Sequence, residues 1–372
     1  MRVGLDVNPL ETHKSRGIGH YVANLLKSLK DIEAPVDFFL YYADWKGEPT
    51  SQGNPRFRFR RVERGARSLS HFTAKDSLDV LHLTDYHFPL AAVQELLSSP
   101  FSSVRLITTV FDLNPYHNPN KSPREVALME SNLKPLMDRL DRIIVLSENG
   151  KKDLVHFWKV RAEKVIPIPL GVDPARFSCP LRRGEVDRAR RQYGITSKYI
   201  LYVGGIDWNK NLVTLLEAYK LFRLDSPAPY ELVLVGNHFQ NPKALPENIK
   251  KGLGPGVKLT GFVPVKDLVA LYQGAEIFVF PSIHEGFGLP VVEAMACGTP
   301  VVAFKSSCLP EVIGDAGLLV EPCHASALKE AMLNLVTNEH LYSTLKSRGL
   351  ARSREFTWTR TARCTLDVYT SV

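Results

Sequence analysis

Short apolar runs of strand length recur along the chain, each followed by a stretch whose apolar residues return every three or four positions. Arg2 to Val7, Asp37 to Tyr42, Val80 to Leu83, Val104 to Val110 and Arg142 to Leu146 are such runs in the first half. Tyr199 to Val203, Glu231 to Val235, Val257 to Leu259, Ile277 to Phe280 and Val301 to Ala303 repeat the pattern in the second. Between them lie segments such as Tyr21-Val22-Ala23-Asn24-Leu25-Leu26-Lys27-Ser28-Leu29, with the apolar spacing of an amphipathic helix. Strands that alternate with helices bury their faces best as parallel sheets flanked by those helices, so the pattern predicts an α/β chain.

The alternation breaks at Pro167-Ile168-Pro169-Leu170-Gly171-Val172-Asp173-Pro174, where prolines and a glycine separate periodic segments. An interdomain linker is expected there. The organisation read from the sequence is one doubly wound Rossmann-like domain over 1–170, a second over 171–355, and a C-terminal segment, 356–372, with a helix from about Thr357 to Tyr369. At 372 residues the chain is long enough for two full cores. Open α/β sheets bind ligands beyond the C-terminal ends of their strands, and two such sheets facing each other would make a central cleft.

Chemistry concentrates in Pro281-Ser282-Ile283-His284-Glu285-Gly286-Phe287-Gly288-Leu289-Pro290-Val291-Val292-Glu293-Ala294. The strand Ile277 to Phe280 precedes it, and Pro290 can open a helix because its missing N–H would have had no partner there. Gly286 and Gly288 then stand just before a helix N-terminus, free to take positive φ and to let backbone approach a ligand. The free N–H groups and dipole of a first helical turn attract phosphate oxygens. Glu285, on the loop, and Glu293, expected on the first turn, flank that position, and carboxylates accept hydrogen bonds from sugar hydroxyls. The motif reads as a phosphate-and-hydroxyl site; solvent-facing acids beside a tight turn are the alternative.

Composition bounds this reading. Hydrophobic and charged fractions of 44% and 23% are those of a soluble globular protein. No apolar run is long enough to span a bilayer, and Met1 to Val7 already reads as a strand, so a cytoplasmic location is expected. The five cysteines, 179, 297, 308, 323 and 364, lack C-x-x-C spacing and fit reduced thiols. The formal charge of +8 favours an anionic partner weakly. The basic segment Leu181 to Arg191 is diluted by Glu185 and Asp187 and has no interleaved aromatics, so it reads as a solvated helix face and not as a nucleic-acid surface. Attraction to an anionic membrane surface is retained as an expectation.

The stretch Glu285 to Ala294 resembles the E-x7-E signature of the retaining nucleotide-sugar glycosyltransferases of family 4, which have the two-domain GT-B fold. Ile200 to Leu212 is similar to the strand-loop-helix that opens the family's second domain. Gly298-Thr299-Pro300-Val301-Val302-Ala303, Leu309-Pro310-Glu311-Val312 and Gly314-Asp315-Ala316-Gly317 follow in the family's order, and Phe356-Thr357-Trp358 resembles its closing helix. The resemblance spans nearly the whole chain.

It implies transfer of a sugar from a nucleoside diphosphate to an acceptor hydroxyl with retention at the anomeric carbon, by front-face attack and without a metal or other cofactor. Glu293 would bind the donor ribose. Glu285, Gly286, Phe287, Gly288 and Leu289 would hold the donor sugar and phosphates, and Val263 would lie in a loop toward the base. Lys210 would place its ammonium on the diphosphate. Where many family members have Gly-Arg after the first strand of the second domain, this chain has Gly204-Gly205, so Arg16 is expected to supply charge from the first domain. Gly17 and Gly19 belong to a loop resembling the family's N-terminal glycine loop.

Asp112, at the end of the strand Val104 to Val110, and Asp85 with His87 are candidates to orient or deprotonate the acceptor hydroxyl; each serves equally as a turn former or cap. Phe111 occupies the place of a histidine that in the family reaches the donor sugar near C6. Its apolar ring would suit a donor lacking a 6-hydroxyl, such as a 6-deoxyhexose or pentose; the alternative is that another side chain takes over the histidine's contact. The partners implied are a nucleotide-sugar and a glycan or lipid-linked acceptor of bacterial surface polysaccharide assembly, with peripheral contact at the inner face of the cytoplasmic membrane. A glycoside hydrolase using the two carboxylates, or a non-catalytic nucleotide-sugar-binding module, are the competing classes.

Overall fold

The structure is a computed structural model that describes residues 1–12, 17–42, 54–61, 75–84, 104–119, 123–132 and 134–372. They divide into two compact units, Met1–Gly171 with Trp358–Val372, and Val172–Thr357.

The first unit is built on a seven-stranded sheet, β1 (Arg2–Asp6), β2 (Asp37–Tyr42), β3 (Phe57–Arg61), β4 (Val80–Leu83), β5 (Arg105–Val110), β6 (Arg142–Val145) and β7 (Val165–Pro167), in the order β3-β2-β1-β4-β5-β6-β7. Its pairings are parallel, for example Leu5 beside Leu40 and beside His82. Two of these strands fall outside the sequence expectation, both at sheet edges. In β3, Phe57 stacks on Phe38 with ring centroids 4.8 Å apart, while the guanidinium groups of Arg58 and Arg60 lie over the Phe39 ring, so its arginines cover an aromatic face through cation–π contact. β7 ends in Pro167, which an edge strand tolerates because no neighbour needs its missing N–H.

The helix Gly17–Asp31 buries Tyr21, Val22, Leu25, Leu26 and Leu29 along one face. The carbonyls at and just beyond its end are closed by the Arg56 guanidinium, which donates to the oxygens of Lys30, Ile32 and Ala34 at 3.2, 2.9 and 3.0 Å. The C-terminal helix Trp358–Thr370 packs against it. Thr361 Oγ1 donates to Pro169 O at 2.7 Å, and the Tyr369 hydroxyl is bonded to His82 Nδ1 at 2.7 Å. His82 Nε2 is bonded to Thr109 Oγ1 at 2.8 Å, and Thr109 to the Tyr21 hydroxyl at 3.2 Å. Complete burial pushes the imidazole of His82 down to about 3, so it is neutral in this chain of hydroxyls.

The second unit carries β8 (Lys198–Val203), β9 (Tyr230–Val235), β10 (Val257–Gly261), β11 (Ile277–Phe280), β12 (Val301–Phe304) and β13 (Gly317–Val320), all parallel in the order β10-β9-β8-β11-β12-β13. The central strands are buried on both faces, and Tyr202, Leu215, Leu216, Phe222, Leu232, Leu234, Val279 and Phe304 share one core. β13 also lay outside the sequence expectation; its four residues are half-buried at the sheet edge. The ends of this unit lie together: Val172 N–H donates to Phe356 O at 3.0 Å, and Val172 forms a bridge with Thr357. The basic segment forms the helix Arg183–Gln192, tied to its neighbour by Arg188, 2.8 Å from the buried carboxylate of Asp267. Among the described residues no helix is long and apolar enough to cross a membrane, and all five cysteines are free thiols.

Candidate functional site

In the second sheet the strand order reverses between β8 and β11. Loops leaving adjacent strands at such a point turn to opposite sides and open a crevice at the strands' C-terminal ends. The residues that leave β8 and β11 are Gly204 to Lys210 and Pro281 to Gly288, the two segments singled out in the sequence.

The exit from β8 is fixed by its backbone. Gly204 N–H donates to Val235 O at 3.0 Å, and the Tyr202 hydroxyl to Gly205 O at 2.6 Å. A Cβ on Gly236, in the loop after β9, would stand 2.1 Å from Gly204 O, so the two loops touch backbone to backbone. One 3-10 turn, Trp208–Lys210, leads through Asn211 at φ +45° into the helix Leu212–Asp225. Buried Asn209 joins this turn to the β11 loop: its Nδ2 donates to His284 O and its carbonyl accepts Ile283 N–H, both at 2.8 Å. Lys210 follows. Its Nζ lies 2.5 Å from Glu285 Oε1 and 5.4 Å from the centre of the Phe280 ring. With 19% and 12% of the two side chains exposed, the pair is shielded from screening yet still open to solvent.

Beyond Glu285, Gly288 takes φ +93° at the cap of the helix Leu289–Ala296, where a Cβ would press on Leu309 Cδ2 at 3.1 Å. Gly286 does not take positive φ. Because the helix starts at Leu289, Glu293 falls on its second turn and not its first. There its Oε2 accepts the Tyr272 hydroxyl at 3.0 Å, from the helix Val265–Gly274, and Tyr272 is anchored in turn by Thr299 Oγ1 donating to its carbonyl at 2.6 Å. Burial pushes the part-buried Glu293 carboxyl up to about 7, and the Tyr272 hydrogen bond acts against that rise.

The loop after β12 closes the other side of the same segment. Ser306 Oγ donates to Ser282 O at 2.7 Å, Ser307 Oγ accepts Glu285 N–H at 3.0 Å, and Cys308 Sγ donates to Glu285 O at 3.2 Å.

The second unit therefore brings together Lys210 and Glu285, with Gly286, Gly288, Leu289 and Glu293 continuing along one loop and helix. Phe287 is buried edge-on against Phe356, ring centroids 5.6 Å apart, so its ring belongs to the core. Val263 is buried just after β10. In the first unit Gly17 and Gly19 lie within the first turn of the helix Gly17–Asp31, not in a loop before it. Phe111 is buried edge-on to Tyr21 at 5.3 Å, and Asp112 Oδ1 accepts Asn114 N–H at 3.0 Å, the contact of a turn former. Arg16, Asp85 and His87 lie outside the described residues. Tyr272 and Ser307 have no counterpart in the sequence reading, and Asn209 enters it only as part of the stretch Ile200 to Leu212, without a role of its own.

Two family models match the chain: Glycosyl transferases group 1 over residues 185–352, and Glycosyltransferase Family 4 over residues 15–176. The O-antigen chain mannosyltransferase B of Escherichia coli is 30% identical over 273 residues, 73% of this chain and 71% of that protein. The serotype-specific mannosyltransferase WbdA of Escherichia coli is 26% identical over 356 residues, 92% of this chain; the chain spans 42% of WbdA's length. The crystal structure of Anabaena HepE in complex with UDP-glucose superposes with a TM-score of 0.78 at 18% identity, covering all of both chains. That likeness is one of fold, and the two doubly wound α/β units are those of the GT-B class expected from the sequence.

Proposed function

Because the chain belongs to the glycosyltransferases of group 1 and family 4, we propose that it transfers a sugar from a nucleoside diphosphate to a hydroxyl of a growing glycan or lipid-linked oligosaccharide in bacterial surface polysaccharide synthesis. Similarity to two mannosyltransferases makes mannose the donor sugar to test first. The observation that carries the reading is the Lys210–Glu285 pair at the reversal of the second sheet, one turn ahead of the helix Leu289–Ala296.

In this reading the diphosphate lies against Lys210 and the first turn of that helix. The ammonium and the helix N–H groups then offset the negative charge that grows on the phosphate as the sugar leaves. Glu285, freed from Lys210 by the incoming phosphate, accepts hydroxyls of the sugar, and Glu293 accepts those of the ribose. The departing phosphate takes the acceptor's proton, so the sugar is delivered to the face it left and configuration is retained. No step calls for a metal. Asp112 of the first unit, which also accepts Asn114 N–H, is the candidate to orient the acceptor hydroxyl. The acceptor's lipid would bring the chain to the inner face of the cytoplasmic membrane, a contact that the +8 charge favours.

Calorimetric titration with UDP, GDP, UDP-glucose and GDP-mannose, followed by NMR of the anomeric proton after transfer to a mannose-terminated oligosaccharide, tests this. Binding of one nucleotide-sugar and a product of unchanged anomeric configuration are expected. Inverted configuration, activity lost on adding a chelator, or glycoside hydrolysis without a nucleotide would each sink the corresponding part of the proposal.

A further inference from the structure

Glu285 is held from the side of β12 by a residue in a backbone conformation that serine seldom takes. Ser307 has φ +44°, in the left-handed region that favours glycine. Strain of this kind persists where the surroundings over-determine it, and it gathers at functional sites. Here the surroundings are the loop it grips. Ser307 Oγ takes the N–H of Glu285, Cys308 its carbonyl and Ser306 the carbonyl of Ser282. From the β8 side, Asn209 takes Ile283 N–H and His284 O. β8 and β12 flank β11 on either side, so the segment leaving β11 is bonded from both neighbours.

We propose that Ser307 is a positioning residue for sugar transfer. Its hydroxyl fixes the Glu285 peptide, and with it the direction in which the carboxylate leaves the backbone toward Lys210. The inference rests on the reading of Glu285 as the group that meets the donor sugar. A carboxylate that reads a hydroxyl must be held to within a few tenths of an ångström, and a hydrogen bond to its own backbone N–H does this without occupying its oxygens. The strained φ follows, because that backbone turn carries Oγ to Glu285.

Two substitutions separate the hydroxyl from the strain. Ser307→Gly removes the hydroxyl and relaxes the backbone, whereas Ser307→Ala removes the hydroxyl and keeps the strain. In both, amide hydrogen exchange over residues 283–287 should rise about tenfold or more, while the dissociation constants of UDP and GDP stay within about threefold of wild type. Turnover of whichever of GDP-mannose and UDP-glucose the wild type uses should fall about tenfold or more in both, although the glycine variant melts no lower than wild type. Turnover within about twofold of wild type in both would overturn the proposal, as would a loss confined to Ser307→Ala, which would assign the effect to strain. Diphosphate binding lost in parallel with turnover would also overturn it, since the whole site would then have collapsed. A wild-type chain that binds no nucleotide-sugar would overturn the functional reading instead. That failure is distinguishable, because the exchange measurement needs no donor.

Discussion

The hydroxyl of Tyr272 donates to Glu293 Oε2 at 3.0 Å, joining the helix Val265–Gly274 to the helix Leu289–Ala296. This bond occupies one oxygen of the part-buried carboxyl and partly offsets the rise that burial imposes on it.

Donor affinity should therefore depend on pH near neutrality. Burial raises Glu293 from 4.5 to about 7, so between these values the folded protein carries a proton that the unfolded chain has lost. If Glu293 accepts the ribose hydroxyls as proposed, its ionised form is the stronger acceptor, and affinity should increase as pH rises through about 7 and then level off. Stability runs the other way: the raised value contributes most below pH 4.5 and is lost as pH rises through about 7. Titration of nucleoside diphosphate from pH 5.5 to 8.5 checks the first trend, and Glu293→Gln should bind more weakly at the upper end with a flat profile.

Tyr272→Phe should move that profile. Removing the hydroxyl leaves Glu293 without the bond that favours its charged form, so the midpoint of the affinity curve shifts to higher pH. The lost hydrogen bond should cost about 1 kcal/mol of stability, measurable by urea unfolding. A midpoint that stays in place would show that the hydroxyl does not govern the carboxyl.

Lys210→Met keeps an unbranched apolar stem and removes the charge that faces Glu285 and the Phe280 ring. Diphosphate affinity should drop by roughly tenfold to a hundredfold, and the loss should shrink at high salt because part of the attraction is screened there. The partly covered carboxylate of Glu285 is also left without its partner, so a modest fall in melting temperature should accompany the loss.

His82 makes the first unit sensitive to acid. Its imidazole is lowered from 6.5 to about 3, so below pH 6.5 the unfolded chain gains a proton that the folded chain refuses. Its contribution is present above pH 6.5 and is lost as pH falls, by about 1.4 kcal/mol per unit. Unfolding at pH 7 and pH 5 should show this slope, and His82→Gln should flatten it while lowering stability at pH 7.

Phe111→His tests donor-sugar choice. If the apolar ring beside Tyr21 excludes a 6-hydroxyl, the native chain should turn over GDP-fucose or another 6-deoxy donor faster than GDP-mannose, and the substitution should reverse the order. An unchanged ratio would remove Phe111 from the specificity of the site.

Lys210, Glu285 and Glu293 were legible in the sequence because their setting is local: a strand, a glycine loop and a helix start within one continuous stretch. The register of Glu293 was not, since Leu289 and not Pro290 opens the helix and one residue moves the acid to the next turn. Tyr272 and Ser307 were hidden for a different reason. Each is 21 or 22 residues away from its partner in the chain, and only the packing of one β-α unit on the next makes them neighbours. In the same way β3 was masked by its arginines, whose guanidinium groups cover Phe39 while composition alone reports their charge. Positions that serve the sheet are written as hydrophobic periodicity, whereas positions that orient another side chain leave no period to read.

The hydrogen bond between Val172 and Phe356 bears on how such proteins can be recombined. The second unit is one uninterrupted length of chain whose first and last residues are paired, and the first unit resumes at Trp358. A segment with this property is a cassette: exchanging it between relatives requires two splices that sit side by side, and a mismatch in its internal length does not propagate to either joint. Chimaeras cut at 171/172 and 357/358 would thus carry the complete second unit into the context of a foreign first unit.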